Sequence, residues 1–422
     1  MKIKLLALSL FTFFIIFCAQ AQDSTFVYNS QALLERTESL EKEIAILKKL
    51  SISGYVQAQY EWGEGLASLR VGSKNENPDK SFNRIGIRRG RIKFTYTEKL
   101  ISGVFQLDIT EKGVGLKDVY INLKDPWFKT NQLRAGVFDR PFGYEISHSS
   151  SRRESPERSA MFRALFPDER DLGAMLILQP NITSPLSFLK LEAGLFAGNG
   201  INKETDNRRD FIGHLSAQKE LNKNASFGAG ISYYNGSVYQ STTTVYKMQG
   251  KEFVAFYDPS NHGGYAKREY LGVDARFSIN TLLGKTELRS EYIFGQQPGT
   301  AYSNESPNSS SIIVTSTYIR DFKGMYVMFI QKIGNYPFAA VLKYDWYDPN
   351  TKVKKDDIGQ HETTYADISK QALGIGGIWD INTHLCLQAY YEFNYNEKTK
   401  FIEGWEEDRA DDSFTLRLQY KF

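Results

Sequence analysis

The feature that most constrains this chain is a period of two that recurs in long runs. In "LCLQAYYEFNY" the residues Leu385, Leu387, Ala389, Tyr391, Phe393 and Tyr395 alternate with Gln388, Glu392 and Asn394. In "DDSFTLRLQYKF" Phe414, Leu416, Leu418, Tyr420 and Phe422 oppose Thr415, Arg417, Gln419 and Lys421. Val56, Ala58, Tyr60 and Trp62 oppose Tyr55, Gln57, Gln59 and Glu61 in the same way. Such alternation scatters around a helix but separates cleanly onto the two faces of a strand. Several runs reach about ten residues, the length of a tilted strand that crosses a bilayer, whereas globular strands usually stop at about five or six. The polar faces carry charges of both signs in mid-strand, as Lys285, Glu287, Arg289 and Glu291 do in "GKTELRSEYIFG". A dry core would not accept them, and a watery lumen would. The pattern predicts an all-β fold, a transmembrane antiparallel β-barrel of about sixteen strands over residues 51–422.

Beyond the first twenty residues no apolar run reaches the length of about eighteen that a membrane helix needs. A barrel escapes that test because its strands alternate. The aromatic content, 28 Phe, 25 Tyr and 5 Trp, suits girdles at two lipid interfaces. Short connections such as "TLLGK" and "INTH" alternate with long polar ones at 236–267, 296–311 and 348–370, as on the two sides of an outer-membrane barrel.

Lys2 and Lys4, the apolar run Leu5 to Phe17 and Ala19-Gln20-Ala21 have the order of a secretory signal peptide, placed at 1–21. Export to the cell outer membrane follows from signal and barrel together. Cys18 raises acylation as an alternative, but Phe17 stands where a small residue is needed. Cleavage after Ala21 leaves Cys386 as the single cysteine, which excludes an internal disulfide. It also leaves 50 of the 52 basic residues against 49 acids, so overall charge selects no partner and gives no reason to expect nucleic acid.

Residues 22–50 change period. Phe26, Ser30, Leu33, Thr37, Leu40, Ile44 and Leu47 follow steps of four and three between charged flanks, which predicts a helix. An oligomerising periplasmic coiled coil and a single amphipathic helix lying on its own domain both satisfy this pattern.

The main break in alternation is "DRPFGYEISHSSSRRESPERSAMFRALFPDERDLG", residues 139–173, read as a functional loop. Arg140, Arg152, Arg153, Arg158, Arg163 and Arg170 are interleaved with Asp139, Glu145, Glu154, Glu157, Asp168, Glu169 and Asp171. The five histidines show no ligand spacing, and no phosphate loop or nucleophile elbow is present. The expectation is no enzyme, no metal and no cofactor.

"GRIKFTYT" after paired arginines, "LKDVYINLK", "LRAGVFDRPFGYE" with "SSSRRESPERS", "LFPDERDLG" and "KYDWYDPN" together resemble the phosphate-selective porin family of bacterial outer-membrane channels. That resemblance implies a homotrimer of sixteen-stranded barrels, each with its third external loop folded into a pore that passes small hydrophilic or anionic solutes. It implies anion-guiding roles for Arg140, Arg152, Arg153, Arg158 and Arg163 of the loop and for Arg89, Arg91 and Lys93 on the lumen wall. The alternative for the loop arginines is bracing by neighbouring acids. For the wall cations it is pairing with Asp108, Asp118 or Glu111 on adjacent strands. The terminal Phe422, with Tyr420 before it, resembles the signal by which such barrels are inserted. A competing reading keeps the barrel but has its loops plug it, leaving a surface adhesin or structural protein.

Overall fold

The computed structural model describes residues 32–41, 43–202, 206–306 and 314–422. The proposed signal segment and the start of the N-terminal heptads lie outside the described residues. Helical residues at 32–41 and 43–47 lead almost directly into the first strand. Leu33, Leu40, Ile44 and Leu47 are 66, 47, 46 and 66% exposed, so this seam does not pack on the barrel.

Eighteen strands follow among the described residues. The first nine are β1 (Leu50–Gly63), β2 (Phe82–Glu98), β3 (Ile101–Thr110), β4 (Gly113–Lys124), β5 (Gln132–Asp139), β6 (Arg170–Leu178), β7 (Leu189–Phe196), β8 (Asp210–Asn222) and β9 (Ala225–Tyr239). A hairpin, β10 (Thr244–Gln249) and β11 (Glu252–Tyr257), interrupts the meander. It resumes with β12 (Tyr265–Thr281), β13 (Gly284–Gly299), β14 (Thr317–Lys332), β15 (Phe338–Asp348), β16 (Lys370–Asp380), β17 (Leu385–Asn396) and β18 (Ser413–Lys421). Without the hairpin, sixteen strands pair antiparallel with their neighbours, β9 to β12 included, and β18 returns to β1 with Lys421 opposite Tyr55 and Ser413 opposite Gly63. The sixteen-stranded wall is closed and leaves none of its own strands as an edge.

The side-chain alternation lies across this wall as the sequence pattern predicts. Along β1, Tyr55, Gln57, Gln59 and Glu61 are buried in the lumen while Val56 and Tyr60 are exposed outside. An exposed band of Leu, Ile, Val and aromatic residues continues around the outer surface, with stacked outer rings such as Phe338 on Trp379. In a water-soluble protein an apolar surface of this extent would drive association; against lipid it is the required face.

Connections at the end that carries the chain's N-terminal helix are short, among them 99–100, 223–224, 282–283 and 381–384. Those at the other end are long, with 111–112 the exception. The segment 236–267 is not wholly loop: β9 runs to Tyr239, and β10 lies parallel to the start of β14, Val245 opposite Thr317. Val353, Ile358, Ile368 and Trp405, with Met248 and Ile402 against them, tie the hairpin to the connections 349–369 and 397–412. Below them Arg320 of β14 bonds Asp367 at 2.7 Å, both fully buried. The long-loop end is thus held together on this side by a small apolar core and a buried ion pair.

Candidate functional site

The connection 140–169 between β5 and β6 folds into the barrel. Its two roots are clamped: Asp139 and Arg170 are cross-strand partners joined at 3.1 Å, and Arg140 reaches Asp171 at 3.2 Å in full burial. Beyond the roots the loop divides by chemistry.

Its apolar residues pack on one side of the lumen. Phe142, Ile146, Met161, Phe162, Leu165 and Phe166 are buried against Tyr234, Tyr270, Ile293, Phe322, Tyr326 and Tyr347 of the wall. Phe166 contacts the rings of Phe142 at 5.0 Å and Tyr270 at 5.7 Å. This packing explains a short helix, Ala160–Leu165, that the Ser- and Pro-rich composition did not announce. Met161, Phe162 and Leu165 share one face at helical spacing, and each such side chain contributes about 1.5–3 kcal/mol on burial.

Three of the loop's acids, Glu145, Glu154 and Glu157, turn to the wall. Glu145 accepts from Lys343 at 3.0 Å and from the Ser159 hydroxyl at 2.7 Å. Glu154 receives both Nη atoms of Arg289, at 2.7 and 2.9 Å. Glu157 collects three arginines: Arg88 at 2.8 Å, Arg89 at 2.9 Å and Arg417 at 3.2 Å. Burial works against the charged form of Glu157, but the arginine charges outweigh it and hold the carboxyl well below its ordinary range. At Glu154 burial is likewise overcome, by hydrogen bonds from His148 and Arg289, and the group sits at about 2. In the reverse direction, Glu291 of β13 accepts the backbone N–H groups of Tyr144 and Glu145 at 2.8 and 2.6 Å, and Asp345 accepts that of Ala160 at 2.8 Å.

The eight cations singled out from the sequence fall into two sets, with buried Arg153 apart from both. Arg89 is tied to Glu157, Arg91 bonds Asp108 at 3.3 Å, and Arg140 is held by Asp171. Arg158 pairs with Glu169 and donates to the carbonyls of Glu145 at 3.0 Å and Ile146 at 2.9 Å. By contrast Lys93, Arg152 and Arg163 have no acidic partner among the described residues. Arg153 is 6% exposed, and no described residue accepts a hydrogen bond from its Nε, Nη1 or Nη2. Tyr420 and Phe422 lie on the outer face of the closing strand with their rings 6.2 Å apart.

The sequence reading missed Arg88, Arg289, Arg417, Lys343 and Glu291 as anchors of the loop. All but Arg88 stand on polar faces that alternation had already marked. Arg88 escaped because the β1–β2 register shifts there, Gln57 facing Arg89 and Ala58 facing Ile87. The bulge lets two adjacent arginines reach one carboxylate, which strict alternation forbids.

Two cavities open beside the loop toward the short-connection end. One, of about 350 Å³, is bordered by Arg153, Arg417, Gln388 and the 382–386 turn region. The other, of about 430 Å³, is bordered by Lys93, Arg134, Tyr120 and Lys421. Ser151 and Arg152 line both, so the loop tip stands between them.

No protein-family model and no curated protein matches the sequence. Among solved structures the chain is similar to Salmonella typhi OmpF in complex with daunomycin, at 12% identity and TM-score 0.55 over 88% of this chain and 97% of that one. It is similar to the outer membrane channel DcaP of Acinetobacter baumannii, at 12% identity and TM-score 0.53 over 88% and 97%. It also resembles a loop-deletion form of OmpT, an outer membrane protein of Vibrio cholerae, at 11% identity and TM-score 0.52 over 88% and 99%. The closed sixteen-stranded antiparallel barrel of this chain is the fold of the porins.

Proposed function

We propose that this chain is an outer-membrane channel for passive diffusion of small hydrophilic solutes, biased toward anions, with phosphate among them, and that it works as a homotrimer. One observation carries the bias: Glu145, Glu154 and Glu157 of the loop turn to the wall while Arg152, Arg163 and the wall residue Lys93 keep no acidic partner among the described residues. A lumen of this kind presents positive charge although the 140–169 connection carries five arginines against five acids. In a narrow passage a fixed charge is screened less than at an open surface and acts on every ion that passes. The porin fold and the outer apolar band support an outer-membrane location, and a signal peptide at 1–21 would deliver the chain there. The exposed seam of the N-terminal helix suits a coiled coil between three copies.

The plugged barrel retains one specific support, the apolar packing of Phe142, Phe162 and Phe166 across the lumen. Conductance of purified protein in a planar bilayer under a salt gradient separates the readings. Ion steps with a reversal potential of anionic sign are expected. Silence in the bilayer would promote the plug, and a cationic sign would end the anion reading.

A further inference from the structure

The larger cavity has a composition that a simple ion path does not need. Its wall is an arc of six adjacent strands. Lys421 of β18 faces Tyr55 of β1, Tyr55 faces Arg91 of β2, Lys93 faces Gln106 of β3, Gln106 faces Asp118 of β4, and β5 follows with Arg134. The loop tip around Ser150 closes the other side. Asp118 and Asp139, the acidic side chains on this lining, are both taken by Arg170, at 2.9 and 3.1 Å. Arg91 and Arg158 are spent on Asp108 and Glu169. What remains is Lys93, Arg134, Arg152 and Lys421, without acidic side-chain partners among the described residues.

Arg134 is the informative member. Its guanidinium lies over the ring of Tyr120 at 4.5 Å and near that of Phe138 at 5.4 Å, and its Nε donates to Asn122 at 2.8 Å. It is therefore oriented, with both Nη atoms left to donate. Tyr120 is placed by its cross-strand partner Gly136, whose φ is +130° and where a Cβ would stand 2.7 Å from the Tyr120 backbone. A flat cation–ring stack thus borders a space of about 430 Å³, far more than a tetrahedral oxyanion fills and within the range of sites for organic molecules.

We propose that this cavity binds organic anions that carry a flat apolar body, such as aromatic carboxylates. Lys93, Arg134, Arg152 and Lys421 receive the carboxylate, and the ring extends the Arg134–Tyr120 stack. The proposal rests on the channel reading for its route of access, and it specifies a class of solute for one compartment of the lumen.

The test uses full-length protein and 2-naphthoate, with inorganic phosphate and neutral 2-naphthylmethanol as the two half-ligands. In single-channel recordings, 2-naphthoate added at the short-connection side should block current at a concentration at least about tenfold lower than either half-ligand. Lys93→Gln with Arg134→Gln should weaken the block by about tenfold or more, and Lys93→Arg alone should preserve it. Equal block by phosphate would replace the proposal with a plain anion site. Block indifferent to the substitutions would overturn it. Anisotropy of 2-naphthoate with detergent-solubilised protein answers independently of conduction: a silent bilayer with saturable, Arg134-dependent binding would end the channel reading and keep the site, whereas no binding would end the site.

Discussion

Gly54 and Phe422 exchange both of their backbone hydrogen bonds, N–H to carbonyl in each direction at 3.0 Å, and the Phe422 ring lies across the glycine. A Cβ at Gly54 would stand 2.6 Å from that ring and 2.4 Å from the carbonyl of Arg91. The seam that closes the barrel thus ends on a residue pair in which one partner has no side chain and the other has a large one. Gly54→Val should reduce the folded, heat-modifiable form in outer-membrane fractions, and deletion of Phe422 should do the same while export continues. Normal assembly of both variants would separate this pair from barrel closure.

Glu157 is the counter-charge of Arg88, Arg89 and Arg417 together. Glu157→Gln removes it and leaves three largely buried guanidinium groups in mutual repulsion, a loss on the order of 3–5 kcal/mol. A lower unfolding temperature is expected, together with protease cleavage near Ser149–Arg152 as the tip loosens. An unchanged melting curve would show that the arginines find other partners.

Arg152 and Arg163 are loop cations whose neutralisation should not disturb packing, since neither is buried and neither has an ion pair among the described residues. Replacing both by Gln should move the reversal potential toward cations at unchanged folded yield. Arg158→Gln should do the opposite, costing stability through its lost bonds to the carbonyls of Glu145 and Ile146 while changing selectivity little. The two readouts, potential and melting temperature, are compared across the variants.

The Glu154–Arg289 brace carries a pH signature. The carboxyl is depressed from 4.5 to about 2, so its contribution to stability is complete above about 4.5 and fades as pH falls through about 2. The stability difference between wild type and Glu154→Gln should therefore narrow over that window and stay constant from pH 5 to 7. Chemical denaturation across the range measures it. A difference that stayed constant down to pH 2 would remove the ion pair as the source of this stability.

The N-terminal helix yields a separate expectation. Leu40→Asp with Ile44→Asp should lower the thermal stability of the oligomer while each barrel still folds, as read by native mass and heat-modifiability. An unchanged oligomer would leave the exposed seam without a role in assembly.

Periodicity determined the barrel because each strand meets lipid on one side and water on the other, and that division is written residue by residue along the chain. It marked Gln57, Arg289 and Arg417 as inward and Phe422 as outward before any pairing was known, and it placed the loop by the break in the pattern. Which charges the lumen presents was not legible. Glu154 and Arg152 are two residues apart, yet one is bound by Arg289 across the lumen and the other borders two cavities. A bulge at Arg88 reversed the direction expected from parity, and the Ala160–Leu165 helix formed because Phe322, Tyr326 and their neighbours offered it an apolar wall. These outcomes depend on partners distant in sequence, Glu157 for Arg88, Arg289 for Glu154 and Phe322 for the helix, because a side chain in a closed barrel is oriented by the nearest opposite charge or apolar surface across the lumen, a relation that sequence separation does not encode.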